Sequence, residues 1–374
     1  MSSFLAIFVI AAIGYLIGGI KIRGVELGTA GVLLAALVFG HFGVEIPSVV
    51  RNFGLATFVA SVGFIAGPKF FRDFRKNAKN YILLGFLIIL SGALCCVLTV
   101  KIGAIRPELA VGLLTGALTS TPGLAAAQEA AGEMSALATT GYAIAYPFGV
   151  VGVVLFVQLI PKMLKIDVDV ERKKFAQANS AEIEPYRGKL VNIDGAGFFA
   201  FTLALTLGIL LGNVRVPLPG GAEFSLGTTG GPLIVGLLFG HYAHIGPVDI
   251  SISHSMLKVL RELGLMLFLV GAGVQGGAGF VETLRSEGGM LFVYGAVMTL
   301  IPMLVGYVVA AKLLKLSLFN NLGSITGGMT STPALGTLID VAGTDDVASA
   351  YAATYPIALV SVVLSSQFIV LLMR

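Results

Sequence analysis

Of the chain's 374 residues 56% are hydrophobic and only 12% are charged, with a mean hydropathy of +0.94. An ordinary soluble domain carries about 25% charged residues, so this composition excludes a water-soluble protein. The net charge of +4 points to no nucleic-acid partner, because the basic residues sit between apolar runs; the lipid bilayer is the expected surroundings.

Charge-free apolar runs follow one another along the chain at 4–20, 27–40, 53–68, 81–100 and 135–161, then at 195–214, 224–240, 263–281, 288–311 and 347–373. Each is near or above the ~20 residues that a helix needs to cross ~30 Å of hydrocarbon. Inside lipid the backbone must satisfy its own hydrogen bonds, which leaves helices or a closed barrel. Barrel strands would alternate in polarity, and these runs do not. The first run has no basic residue ahead of it and no small-residue cleavage site, so it reads as a membrane helix rather than a signal peptide. Cys95 and Cys96, adjacent within the fourth run, read as core filler. Residues 162–193 are the longest hydrophilic stretch of the chain and are too few for a domain. They form a linker or a short amphipathic segment between two membrane regions, 1–161 and 194–374.

These two regions are copies of one another. Gly116-Ala-Leu-Thr119-Ser120-Thr121-Pro122 recurs 211 residues later as Gly327-Gly-Met-Thr330-Ser331-Thr332-Pro333. Tyr142-Ala-Ile-Ala-Tyr146-Pro147 is answered by Tyr351-Ala-Ala-Thr-Tyr355-Pro356, Phe39-Gly40-His41 by Phe239-Gly240-His241, and Arg51-Asn-Phe-Gly54 by Arg261-Glu-Leu-Gly264. Self-similarity in one order over the whole length marks a duplication.

Short cytoplasmic loops collect Lys and Arg. The connection 69–79 carries five basic residues and the linker seven counting Lys162, so both are expected inside. They can share a side only if the Thr-Ser-Thr-Pro region between them dips in and returns. Each half then has five spans and one re-entrant, broken helical hairpin, and the odd count inverts one half relative to the other. On that arrangement 18 of the 24 basic residues are cytoplasmic; Arg51, Lys101, Arg106, Arg215, Arg285 and Arg374 lie outside.

Inverted repeats with helices interrupted at the midplane are characteristic of secondary transporters. Pro122 and Pro333 cannot donate a backbone hydrogen bond, so each should open a second half-helix. Thr119, Ser120 and Thr121, like Thr330, Ser331 and Thr332, then sit at the breaks with Gly123 and Ala334 just beyond. Hydroxyls there can cap free backbone groups, exposed amides can hold an anion such as a carboxylate, and freed carbonyls could serve a Na⁺ ion. A Ser/Thr-Pro break is also a common kink without function. Tyr146 and Tyr355 could contact a solute or pack, and Gln275, at membrane depth, could do either. The run Gly271-Ala-Gly-Val-Gln-Gly-Gly277 matches a dinucleotide fingerprint, but it lies in a membrane span with no preceding strand, so close helix packing is expected. His41 and His241 read as helix-end groups, and Asp345 and Asp346 as capping charges. Glu129 and Asp340 read as solvated helix ends or a cation site. No run carries an ionisable residue in its central portion, so no buried carboxylate relay is visible.

At these residues the chain resembles the aspartate:alanine exchanger family of bacterial transporters. The resemblance rests on Gly116…Thr119-Ser-Thr121-Pro122…Ala125-Ala-Ala, on Gly327…Thr330-Ser-Thr332-Pro333-Ala-Leu and on the two Tyr-Pro strings. It implies secondary transport of small amino-acid or dicarboxylate anions across a bacterial cytoplasmic (inner) membrane, by a multi-pass homodimer. Many members carry a large cytoplasmic regulatory insert between the halves, and here only the short linker fills that place. The expectation is an elevator-type carrier for small carboxylate-bearing solutes, working by exchange or with Na⁺ and binding solute between the two hairpins. A passive channel or uniporter for a small anion is the second reading. With no zinc motif and no nucleophile constellation at membrane depth, an enzyme is not expected, nor any cofactor.

Overall fold

The computed structural model describes residues 2–22, 25, 26, 29–178, 190–217, 223–277 and 289–373. The first half comprises α1 (Ser3–Gly18), α2 (Ala30–His41), α3 (Ser48–Gly103), α4 (Pro107–Ala117), α5 (Thr121–Ala131) and α6 (Ser135–Met163). A linker helix α7 (Val168–Ala178) follows. The second half comprises α8 (Phe198–Gly212), α9 (Gly227–Tyr242), α10 (His254–Gly277), α11 (Gly289–Val308), α12 (Leu318–Gly328), α13 (Thr332–Ala342) and α14 (Ala348–Met373). Three antiparallel ladders of two residues per strand, at 21–26, 216–224 and 244–249, lie in connections. Among the described residues five helical stretches are long and apolar enough to cross a membrane: Ser48–Pro68 and Asn77–Gly103 within α3, Gly132–Met163, Gly289–Leu313 and Asp345–Met373. Ser3–Gly18, Gly31–His41 and Phe198–Gly212 are shorter apolar helices. The chain is an all-α, multi-pass membrane protein.

Helix ends follow local chemistry. Ser2 accepts from the Leu5 amide at 3.3 Å and Ser317 from Asn320 at 3.4 Å, each satisfying an amide with no partner inside its helix. Asp194 accepts from the Phe198 and Phe199 amides at 3.0 and 2.5 Å. The Phe199 amide contributes most to holding the Asp194 carboxyl below the usual carboxylate range. One boundary departs from the sequence expectation. The span expected over 263–281 falls on α10, with 278–281 outside the described residues; the helix begins earlier, at His254, and takes in Lys258, Arg261 and Glu262, Arg261, only 7% exposed, being neutralised by neighbouring carboxylates.

Close contacts reveal the direction of each helix. A Cβ on Gly112 would strike the Ala138 carbonyl, and one on Gly116 would lie 2.5 Å from that of Tyr142. Helices α4 and α6 therefore run side by side in one direction, and α5 must return between them: α4–α5 is a hairpin. In the second half Gly323 meets the Val347 carbonyl at 2.7 Å and Gly327 that of Tyr351 at 2.5 Å, so α12–α13 is a hairpin beside α14.

Equivalent residues of the two halves also face each other. A Cβ on Gly54 would strike the Phe268 amide, and one on Gly264 would lie 2.5 Å from the Phe58 amide. With 54 beside 268 and 58 beside 264, α3 and α10 cross antiparallel at the matched glycines. Only small residues allow two backbones to come this close. The helices divide into two bodies. The start of α3 packs with α8, α9 and α10, and α1 and α2 pack on α10; the end of α3 packs with α4, α11, α12 and α14, around which α5, α6 and α13 pack.

Replacing Gly264 by Val should cost about 1–3 kcal/mol through overpacking, read as a lowered melting temperature in detergent. Gly195→Val meets nothing within 4 Å and should leave that temperature unchanged; equal losses would contradict the close crossing.

Candidate functional site

Each hairpin turns on a threonine in the left-handed region, Thr119 at φ 54° and Thr330 at φ 49°, a conformation that costs non-glycine residues of order 1–3 kcal/mol. The tips cross, and the crossing ties both down. Thr119 Oγ1 donates toward the carbonyls of Met329 and Thr330 at 3.4 and 3.2 Å, and Thr330 Oγ1 donates to the Leu118 carbonyl at 2.6 Å. Carbonyls freed by each break thus accept from the opposite hairpin.

Beyond the threonines the second half-helices begin. Ser120 Oγ accepts from the Gly123 amide at 3.2 Å, while Ser331 precedes α13 with its hydroxyl buried and unpartnered. Pro333 occupies the first helical turn, as its ring geometry favours. Thr121 shares a hydrogen bond with the Tyr142 hydroxyl at 3.4 Å and Thr332 with that of Tyr351 at 3.3 Å. Tyr142 stacks on Tyr146 with centroids 5.1 Å apart, and Tyr351 on Tyr355 at 5.4 Å. The two halves repeat this constellation residue for residue.

A cavity of about 590 Å³ lies at the crossing, within the range of small-molecule sites. Thr119, Ser120, Thr121, Pro122, Thr330, Thr332, Pro333, Gln275, Tyr146 and Tyr355 all line it. Gly123, Ser331 and Ala334 do not; they sit behind the tips. Thr121, Thr139, Thr228 and Gln275 are exposed at its mouth, whereas Thr330 to Thr332 are buried. The cavity therefore opens past the first hairpin and has the second as its floor. Its mouth lies at the start of α6, and the linker follows the other end of that helix.

Among the described residues the charged one in the wall is Arg51, four residues into α3. Its guanidinium donates to Gln275 Oε1 and, at 3.2 Å, to Asn52 Oδ1. Among the described residues no carboxylate pairs with it. A cation is also disfavoured at a helix N-terminus, so this placement does nothing for the helix. Its repeat partner Arg261 differs: it pairs with Asp345, and with Glu262 at 2.6 Å, while His254 Nε2 approaches Asp345 at 3.4 Å. Asp345 is thus more than a capping charge. Sequence reasoning missed Arg51 and Tyr142 as lining residues. The available signal was the repeat match itself, where Asn52 replaces the acid that Glu262 supplies.

Of the remaining candidates, Asp340 is exposed near the end of α13, and the Glu129 side chain lies outside the described residues. His41 and His241 end α2 and α9, with His241 packed 4.7 Å from the Phe71 ring.

A family model described as a predicted permease membrane region matches residues 6–162 and 200–371. An uncharacterised transporter of Bacteroides fragilis is 31% identical, covering 98% of both chains. Others from Bacteroides thetaiotaomicron and Rhodopirellula baltica are 29% and 26% identical, covering 98% and 99% of each chain. The first alignment runs to 523 positions against the 374 residues here, so that relative carries a long stretch without counterpart. The family match breaks between 162 and 200, around the linker.

Thr330→Val should leave the buried Leu118 carbonyl unsatisfied and cost about 1–3 kcal/mol of stability, lowering the melting temperature by several degrees. Thr121→Val, at the exposed mouth, should leave that temperature nearly unchanged. The reverse order would contradict the crossing as the structural tie.

Proposed function

The chain belongs to the aspartate:alanine exchanger family of transporters, and from that premise we propose that it is a secondary carrier for small carboxylate-bearing solutes, bound between the two hairpin tips. The observation that carries this reading is Arg51, a cation held in the cavity wall, among the described residues, by the neutral partners Asn52 and Gln275. A planar guanidinium matches a carboxylate with two charge-assisted hydrogen bonds. Hydroxyls of Thr121, Tyr142 and Thr332 are at hand for the remaining oxygens and the body of the solute.

Alternating access is supported by the reciprocal contacts between halves. Equivalent glycines face each other across antiparallel helices, and equivalent threonines tie the tips. Such reciprocity accords with a pseudo-twofold axis in the membrane plane, which makes the repeats inverted and both hairpins re-entrant from opposite faces. Arg51, Phe268 and Gln275 stand on the body holding α1, α2 and α8–α10, and the tips and tyrosines on the other, so the cavity lies between two bodies able to slide past each other. On the linker face Arg261 of the first body pairs with Asp345 of the second. In this reading that pair latches the closed face, while Arg51, its counterpart on the open face, waits for the solute's charge. That arrangement supports an elevator type of carrier, and the buried floor favours a carrier over a passive channel. Exchange is the simplest coupling, since a solute anion is needed to neutralise Arg51 before the face closes.

Titration of purified protein with candidate carboxylates tests the reading. Arg51→Gln should weaken binding by about a hundredfold, the equivalent of two charge-assisted hydrogen bonds at about 1.4 kcal/mol per factor of ten, with the melting temperature preserved. Unchanged affinity in this variant would remove the carboxylate site from the cavity.

A further inference from the structure

We propose that the solute carried in this cavity is a carboxylate anion without an ammonium group (a hydroxy, oxo or unsubstituted carboxylic acid) and not a zwitterionic amino acid. The inference rests on the reading of the cavity as a carboxylate site and narrows it.

A buried ammonium needs a carboxylate or several well-placed acceptor oxygens, because leaving its charge unpaired in a desolvated site is expensive. Among the described residues that line the cavity, Arg51 is the charged one and there is no Asp or Glu. The amide and carbonyl oxygens at the crossing are already engaged, and the lining hydroxyls that remain, Ser225, Thr228 and Thr229 among them, are neutral and offset no charge. Asn52 Oδ1 and Gln275 Oε1 both accept from Arg51. Ser120 Oγ accepts from the Gly123 amide. The carbonyls of Leu118, Met329 and Thr330 accept from the opposing threonines.

What remains toward the solute is a guanidinium and the Thr–Tyr hydroxyl pairs, a set that completes a carboxylate and a hydroxyl or oxo group. An ammonium beside that carboxylate would meet the uncompensated charge of Arg51, and like charges repel more strongly here than in water. Among the described residues, the acids beside the matched arginine are elsewhere: Glu262 and Asp345 are both engaged with Arg261 on the closed face. Tyrosine faces are the remaining home for an ammonium, but Tyr142 and Tyr146 stack on one another with planes 27° apart, so their facing sides are closed to it.

The test uses near-isosteric twins that differ by hydroxyl against ammonium: lactate with alanine, malate with aspartate, and phenyllactate with phenylalanine. Binding of each is measured calorimetrically on the purified full chain and on Arg51→Gln. The proposal expects the hydroxy acid of at least one pair to bind tenfold or more tighter than its amino twin, and no amino acid to bind as tightly as its hydroxy counterpart. An amino acid that equals or exceeds its twin, with binding lost in Arg51→Gln, overturns the proposal while leaving the carboxylate site standing. Absence of binding by every member overturns both.

Discussion

Two breaks in the backbone at the centre of an apolar bundle leave carbonyls that lipid cannot satisfy, and the rest of the molecule is arranged around how they are met. Each break is answered by the other. Thr330 donates to the carbonyl of Leu118, and Thr119 donates toward those of Met329 and Thr330. A hairpin tip alone would carry buried unpaired carbonyls at about 1–3 kcal/mol apiece together with a strained threonine. Two tips that cross remove most of that penalty, and they do so only if the halves meet head to head. The crossing therefore requires the duplication, and it also brings two sets of hydroxyls and half-helix N-termini to one place.

Much of this was legible in the sequence because it depends on short-range chemistry. Charge-free runs mark helices wherever backbone groups have no water to turn to. Proline after Thr-Ser-Thr marks the break, since its ring tolerates only the first turn of a helix. The return of α5 beside α6 was legible from the Lys and Arg distribution alone, and the contacts of Gly112 and Gly116 give the same direction. What was not legible depends on partners far apart in the chain. Arg261 lies inside α10 because Asp345, 84 residues away, neutralises it, and a search for charge-free runs cuts the helix short there. Arg51 becomes a site residue only when α10 brings Gln275 beside it, 224 positions away. Gly123, Ser331 and Ala334 share the repeat motif with the lining residues, yet helical geometry turns them behind the tips.

Symmetry of sequence and asymmetry of charge together carry the functional argument. Tyr142 and Tyr351, Thr121 and Thr332, Gly54 and Gly264 keep the same partners in both halves, although the second set of hydroxyls is buried and the first opens to the cavity mouth. Arg51 and Arg261 do not: one has an acid beside it in sequence and another across the helix boundary, and the other has Asn52 and Gln275. A duplicated scaffold supplies the same position twice; Glu262 and Asp345 neutralise Arg261, whereas Arg51 has Asn52 and Gln275, and on the proposed reading it is the copy left to receive an anion. The linker sits at the closed end. There Glu171 accepts from the Leu318 amide at 3.3 Å, at the base of the second hairpin, in the region where the family match is interrupted.

On the proposed reading the cavity at the hairpin crossing is the solute site and opens to one face at a time. Thiol labelling of Thr121→Cys in sealed vesicles tests it most directly, because the two native cysteines are buried. A membrane-impermeant reagent should modify this position from the face opposite the linker, saturating carboxylate substrate should slow that reaction at least tenfold, and under exchange conditions reactivity should appear from the linker face as well. Labelling at one unvarying rate, from one face only, with or without every carboxylate that the protein transports, would contradict it.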